Sequence, residues 1–332
     1  MLEINEKTKI FMACPANVKT GGPELAHQLV NTLYNMGIEA YMLYIGAKKN
    51  IDPVNDEYKK YNNKYVTELS SKDISKNNIL IVPEIYTYLI KKHYNNMQTA
   101  IWWMSVDNYI VELKCKGIKR KIKRILNISK GNHYKFEKDI KTYHLCQSYY
   151  AIDFLKTKGV DENDIFYLSD YLNDIYINMS EKDVKEKEDI VLYNPKKGYE
   201  YTKKIIDKCN DICFVPLQNM TSTQVREALL RAKVYIDFGN HPGKDRFPRE
   251  AAMCGCCIIT GKRGSAKYKE DVNIPEEFKF EDLEKNIEIV SNKIKNTLNN
   301  YDEESKKFYE YKKIILNEKD KFISDVRCIF KK

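Results

Sequence analysis

Between Val234 and Gly264 the chain reads VYIDFGNHPGKDRFPREAAMCGCCIITGKRG. An apolar run, Val234 to Phe238, opens into a loop holding Gly243, Lys244 and Arg246. A helix follows from Pro248, stops at Gly255, and gives way to a second apolar run, Cys256 to Thr260. A loop that empties onto a helix N-terminus offers backbone N–H groups, the positive end of the helix dipole and added cations. That combination holds an anion, phosphate first of all. Lys244, Arg246 and Arg249 surround the loop and Glu250 stands at the helix start. The same string also suits an ordinary strand–loop–helix connection with solvated charges, in which Glu250 merely complements the dipole.

Three other places carry chemistry. Asn194-Pro195-Lys196-Lys197-Gly198 follows an apolar run and precedes a helix-period segment. The dipole disfavours cations at a helix start, so a lysine there argues for a task, such as a compact ammonium over phosphate oxygens. Gly21-Gly22 fills the first strand–helix turn, where a missing Cβ lets a ligand approach the backbone or simply permits a tight turn. Trp102-Trp103-Met104-Ser105-Val106-Asp107 ends another strand. Its rings suit a sugar face or a core, and Asp107 is the candidate general base or binder of an acceptor hydroxyl. His27 reads as a core or surface histidine. The nine cysteines and five histidines show no metal-ligand spacing, so no metal is expected and the thiols read as buried and reduced.

Pro248 to Gly255, P-R-E-A-A-M-C-G, resembles the helix start P-x-x-E-A-M-A-x-G of GT-B glycosyltransferases, and is most similar to the retaining group called family 4. The resemblance implies that Glu250 holds the ribose hydroxyls of a nucleotide-sugar. A sugar-contacting Glu lies eight residues earlier in that family, where this chain has Pro242. Retention, in which the departing diphosphate takes the acceptor proton, and inversion, which needs a carboxylate or His, therefore both stay open. The Asn194–Gly198 loop is similar to the one whose cation neutralises the donor diphosphate; Lys197 fits best because Gly198 follows, with Lys196 the alternative. Gly21-Gly22 resembles the G-G-x-E start of the family, with Glu24 at the acidic position. Leu217 to Met220 matches the strand end that grips the nucleobase through its backbone. The donor set implied is Gly21, Gly22, Lys197, Met220, Gly243, Lys244, Arg249 and Glu250, with no cofactor, the nucleotide-sugar being a substrate. The implied activity is sugar transfer to a glycan or lipid-linked acceptor, as in bacterial surface polysaccharide synthesis. A non-catalytic nucleotide-sugar-binding protein, a nucleotide-sugar epimerase and a DNA-modifying glucosyltransferase are the alternatives.

The elements that must position these residues alternate. With 332 residues, 43% hydrophobic and 31% charged, the chain can build two domains with proper cores. Strands are predicted at Lys9–Cys14, Ile38–Ile45, Ile79–Val82, Thr99–Met104, Tyr143–Cys146 and Ile165–Leu168, then at Ile190–Tyr193 and Ile212–Leu217. Helices come between them, one capped by Ser222, and Glu281 to Lys332 reads as wholly helical. This is the α/β pattern of parallel sheets, shared with dinucleotide enzymes and periplasmic-type binding proteins. The resemblance narrows it to GT-B: two Rossmann-like domains facing across a cleft, with C-terminal helices crossing back to the first. The boundaries expected are 1–169 (acceptor side), 170–189 (linker), 190–310 (nucleotide-sugar side) and 311–332 (C-terminal helix).

Residues 114–141 hold 11 Lys/Arg against two acids, 11 − 2 = +9, equal to the whole-chain excess of 56 − 47 = +9. An apolar stripe of Ile118, Ile122, Ile125 and Leu126 runs through the stretch. The pattern fits a helix on an anionic membrane surface or an amphipathic core helix with a solvated basic face. Nucleic-acid binding ranks third, as no base-reading motif accompanies it. The N-terminal residues carry acids and no long apolar run, which reads as no secretory signal and a cytoplasmic location, with peripheral contact at the inner face of the membrane as an option.

Overall fold

Short apolar runs in the first half pair into one parallel sheet. β1 (Lys9–Pro15), β4 (Ile79–Pro83) and β5 (Gln98–Trp103) are buried along their interiors, because a parallel sheet is covered by other elements on both faces. With β2 (Glu39–Ile45), β3 (Tyr65–Val66), β6 (Tyr143–Cys146) and β7 (Ile165–Tyr167) the order is β3-β2-β1-β4-β5-β6-β7. Helices α1 (Gly21–Asn35), α2 (Tyr88–His93), α3 (Val106–Lys114) and α4 (Tyr149–Thr157) connect the strands. The computed structural model describes residues 2–114, 132–179 and 185–331. They fall into two units: Met1–Asp170 with Asp320–Lys332, and Tyr171–Lys319. Most of the basic stretch 114–141, with its apolar stripe, lies outside the described residues.

The second unit holds β8 (Glu188–Tyr193), β9 (Cys213–Pro216), β10 (Ala232–Asp237), β11 (Cys257–Gly261) and β12 (Lys279–Phe280), all parallel, in the order β12-β11-β10-β8-β9. Its helices are α5 (Asp174–Ile177), α6 (Tyr199–Lys208), α7 (Ser222–Arg231), α8 (Arg246–Met253), α9 (Ile287–Asn299), α10 (Tyr301–Lys306) and α11 (Tyr309–Leu316); α12 (Glu318–Ile329) begins in this unit. The chain leaves β8 toward one edge and reaches β10 on the other side. The loops after these two strands therefore part, and such a switch point is where an open α/β sheet leaves a crevice. Lys187 ties this layer together: its buried ammonium donates to the carbonyls of Leu229, Ala232 and Cys254 at 3.1, 2.8 and 2.7 Å, gathering the ends of α7 and α8.

Several local expectations shift. Thr221, not Ser222, caps α7, through a capping box with Gln224. The helix expected from Pro248 starts two residues earlier, with Asp245 as N-cap; Pro248 is tolerated because first-turn N–H groups lack intrahelical acceptors. The helical tail breaks into separate helices at Asn300, Phe308 and Asn317; β12 pairs with β11 just ahead of it. Within 170–189, read as a polar linker, Leu172 and Tyr176 are buried in the core of the second unit. No helix among the described residues is long and apolar enough to cross a membrane.

Two histidines of the first unit are core residues. His27 lies 3.0 Å from the Tyr44 hydroxyl and stacks on Tyr58 and Tyr61. His144 takes the indole N–H of Trp103 at 2.9 Å. Burial pushes His27 down to about 4 and His144 down to about 3. The unfolded chain binds these protons near the ordinary pKa of about 6.5, so each group costs stability progressively as pH falls from there toward its folded pKa. For His27 the loss amounts to about 3 kcal/mol. Urea denaturation at pH 7.5 and pH 4.5 should show it, and His27→Gln should flatten the dependence; an unchanged slope in that variant would exclude His27 as a source.

Candidate functional site

The switch point of the second unit holds a cleft of about 420 Å³ lined by Asn194, Lys197, Asn240, Pro242, Asp245, Arg246, Phe247 and Glu250. Two segments build it: the loop after β8 and the loop after β10 that becomes α8. They meet because Gly198 and Gly239 let their backbones touch. Gly198 has φ +61°, and a Cβ there would stand 2.2 Å from the Phe238 carbonyl oxygen; one on Gly239, at φ +93°, would stand 2.5 Å from the Gly198 nitrogen. No other residue type fits that approach.

Lys197 is held inside this junction. Its ammonium lies 2.9 Å from Asp237 Oδ1, 3.4 Å from His241 Nδ1 and in close contact with Asp245 Oδ2. Burial pulls the ammonium down, but Asp237 and Asp245 outweigh it and the net direction is upward. Burial alone would raise Asp245; His241 and Lys197 overcome that and bring its carboxyl to about 2. His241 Nδ1 lies 3.1 Å from Asp245 Oδ2, and its Nε2 faces the Asp237 carbonyl oxygen at 3.2 Å. Asp237, His241 and Asp245, at four-residue steps, come close enough to hold a metal ion. In this structure the Lys197 ammonium supplies the positive charge between the two carboxylates. A search for Cys and His spacing passes over this set, because its cation comes from a lysine 40 residues upstream of Asp237.

Glu250 reaches the cleft from the first turns of α8. The Tyr176 hydroxyl hydrogen-bonds it, and burial followed by the Glu250 charge raises that phenol. Arg246 adds a cation, and the positive end of the α8 dipole points to the same space. A second cavity of about 480 Å³ also has Lys197 in its wall, with Lys196, Tyr199, Tyr201, Lys204, Arg263 and Asp282. Asp282 accepts the Gly239 N–H at 2.9 Å and pairs with Arg263 at 3.3 Å, fixing the glycine junction from behind.

Lys244 and Arg249, expected in the donor set, are not among the residues that line the cleft. Both are buried and paired with one carboxylate, Glu318 at the start of α12: Lys244 Nζ at 2.9 Å and Arg249 at 2.7 Å. Arg249 also donates to the carbonyls of Lys244 and Asp245 at 3.3 Å. The reason is electrostatic. Two cations cannot be desolvated without a counter-charge, and here it arrives from 69 residues downstream of Arg249. Gly243 and Met220 also lie outside the cleft lining; the Gly243 carbonyl accepts the Ser265 hydroxyl at 2.6 Å, and Met220 packs on the core.

In the first unit, Gly21 and Gly22 form the start of α1, and a Cβ on Gly22 would sit 3.4 Å from Met104 Sδ. Trp102 and Trp103 are fully buried. They are core, not a sugar-stacking platform, and their indole N–H groups are taken by the Leu168 carbonyl and His144. Asp107 lies in the first turn of α3 and accepts the Tyr150 hydroxyl at 3.0 Å. Beside this turn is a carboxylate that the sequence reading missed. Glu84 is buried, takes the Met104 N–H at 3.2 Å, and is pushed by burial up to about 7.

No family model and no curated protein matches this chain. Solved structures do. A glycosyltransferase from Rickettsia africae aligns over 98% of this chain and 99% of its own, with TM-score 0.64 and 16% identity. TarM from S. aureus, in a complex with fondaparinux, alpha-GlcNAc-glycerol and UDP, aligns over 98% and 100%, with TM-score 0.65 and 13% identity. HepE from Anabaena, in complex with UDP-glucose, aligns over 97% and 98%, with TM-score 0.64 and 9% identity. The fold is GT-B.

Pro242 forms part of the cleft wall, and Asp245, an acid of the β10–α8 loop, joins that wall three residues later.

Proposed function

We propose that this chain is a glycosyltransferase that takes a sugar from a nucleoside-diphosphate donor held in the second unit. One observation carries the reading. Lys197, Arg246, Glu250 and the start of α8 converge on one cleft at the switch point of the sheet, in a chain whose fold matches structures solved with UDP and UDP-glucose over nearly their whole length. Glu250, oriented by Tyr176, holds the ribose hydroxyls. Lys197, Arg246 and the helix dipole take up the negative charge that grows on the diphosphate as the glycosidic bond to the sugar breaks, so catalysis rests on placement and charge stabilisation. The ammonium between Asp237 and Asp245 lets this proceed without a metal. Asp107 is the acid offered to the acceptor, and retention is the stereochemical proposal. The acceptor class proposed is a glycan or lipid-linked precursor of a bacterial surface polysaccharide.

Melting temperature across a panel of nucleoside diphosphates and their sugars tests this reading. A true donor at a hundredfold excess over its Kd stabilises by about 2.7 kcal/mol, and the stabilising donor should be consumed when acceptors are supplied. A panel that shifts nothing would overturn the reading. Pro242 in the cleft wall favours one second reading, a nucleotide-sugar-binding protein that does not transfer. It predicts the same thermal shift with the donor intact after long incubation with every acceptor class.

A further inference from the structure

The Lys197 ammonium is paired with two carboxylates, Asp237 and Asp245, and lies 3.4 Å from His241 Nδ1. A diphosphate oxygen that forms a close ion pair there competes with these partners. Asp237 is the last residue of β10 and its side chain is 1% exposed; His241 is 0% exposed. Neither can leave without unpacking the sheet. Asp245 differs: its side chain is 23% exposed, and it forms part of the cleft wall.

Asp245 is also out of its ordinary place. It is the N-cap of α8, with the extended backbone of a cap (φ −65°, ψ 144°), yet its side chain caps nothing. An N-cap Asp normally accepts a backbone N–H of the first turn. Here the carboxylate points to Lys197 and His241 instead. A side-chain rotation would give it its usual acceptor role, so leaving Lys197 need not leave it unsatisfied.

We propose, resting on the donor reading above, that Asp245 is an exchangeable counter-ion: it occupies Lys197 while the cleft is empty, and the diphosphate of the donor takes its place. The exchange keeps a buried ammonium paired at every stage, and an unpaired one would be costly. It also sets the donor's grip. Binding must displace a carboxylate, and after transfer the same carboxylate returns to Lys197 and helps expel the nucleoside diphosphate. The acid on this loop thus acts on affinity and product release.

Isothermal titration with UDP, GDP and ADP, the tightest then being followed, tests this on the full chain. Asp245→Asn keeps the shape and a hydrogen-bond acceptor for Lys197 but removes the competing charge. It should bind the nucleoside diphosphate at least tenfold tighter, with stronger product inhibition and a lower kcat. Asp245→Ser, a good N-cap in its own right, should tighten binding in the same direction and serves if the Asn variant folds poorly. Equal or weaker binding in folded variants, while Lys197→Met abolishes binding, would overturn the exchange and leave the donor reading standing. Wild-type protein that binds none of the three, or binding indifferent to Lys197→Met, would overturn the donor reading and the exchange with it.

Discussion

Lys197→Ala is expected to lower kcat by a factor on the order of 10²–10³, the loss typical when one preorganised charge is removed from a transition state. Donor KM should rise as well, because Lys197 also holds the ground-state diphosphate, while the loss in kcat reports the charge that grows as the bond to the sugar breaks. The same substitution leaves Asp237 and Asp245 facing each other without a cation. Breaking a buried ion pair costs about 3–5 kcal/mol, so stability must be measured beside activity. Lys197→Arg separates the two losses: it restores the charge, and should recover stability while only partly recovering kcat, since a planar guanidinium fork does not place its charge where a compact ammonium does. Glu250→Ala should act differently. Losing hydrogen bonds to a charged group costs about 1.5–3 kcal/mol, which should appear chiefly as a higher donor KM. Steady-state release of the nucleoside diphosphate gives both parameters; near-normal turnover in both alanine variants would sink the site assignment.

Glu318→Ala should lose stability on the same scale as Lys197→Ala. It removes the carboxylate shared by Lys244 and Arg249, both buried, so each cation loses a buried ion-pair partner. The expected cost is about 3–5 kcal/mol, a fall of roughly 10 °C in the melting temperature of a unit this size. Donor KM should rise as well, because Arg249 donates to the carbonyls of Lys244 and Asp245 and so shapes the β10–α8 loop. The triple variant Lys244→Met, Arg249→Met, Glu318→Leu offers the contrast. Replacing a whole buried ionic cluster by apolar groups is often neutral or stabilising, so it should melt well above Glu318→Ala. Urea denaturation that shows less than about 1 kcal/mol lost in Glu318→Ala would mean that the three charges are solvated after all.

Residues near each other in the chain were legible from the string alone. Leu25, Leu29 and Leu33 mark the buried face of α1, and the apolar runs at β1, β4, β5 and β10 announce buried parallel strands. These follow from local periodicity, which needs no knowledge of partners. The short elements escaped for the same reason: β3 and β12 have two residues each, too few to show any period. P-R-E-A-A-M-C-G and Asn194–Gly198 mark two segments that contribute residues to one cleft.

The sequence by itself therefore determined the α/β alternation, the loop and helix that carry Glu250 and the lysine before Gly198. Only the tertiary structure decided which charges face the cleft. Lys244, Arg246 and Arg249 look alike in the string, yet Glu318, 69 residues beyond Arg249, draws two of them into the core while Arg246 stays in the cleft wall. Lys197 lies 48 residues from the Asp245 that holds it. A charge's role depends on which counter-charge reaches it once water is excluded, and that pairing is made by the fold.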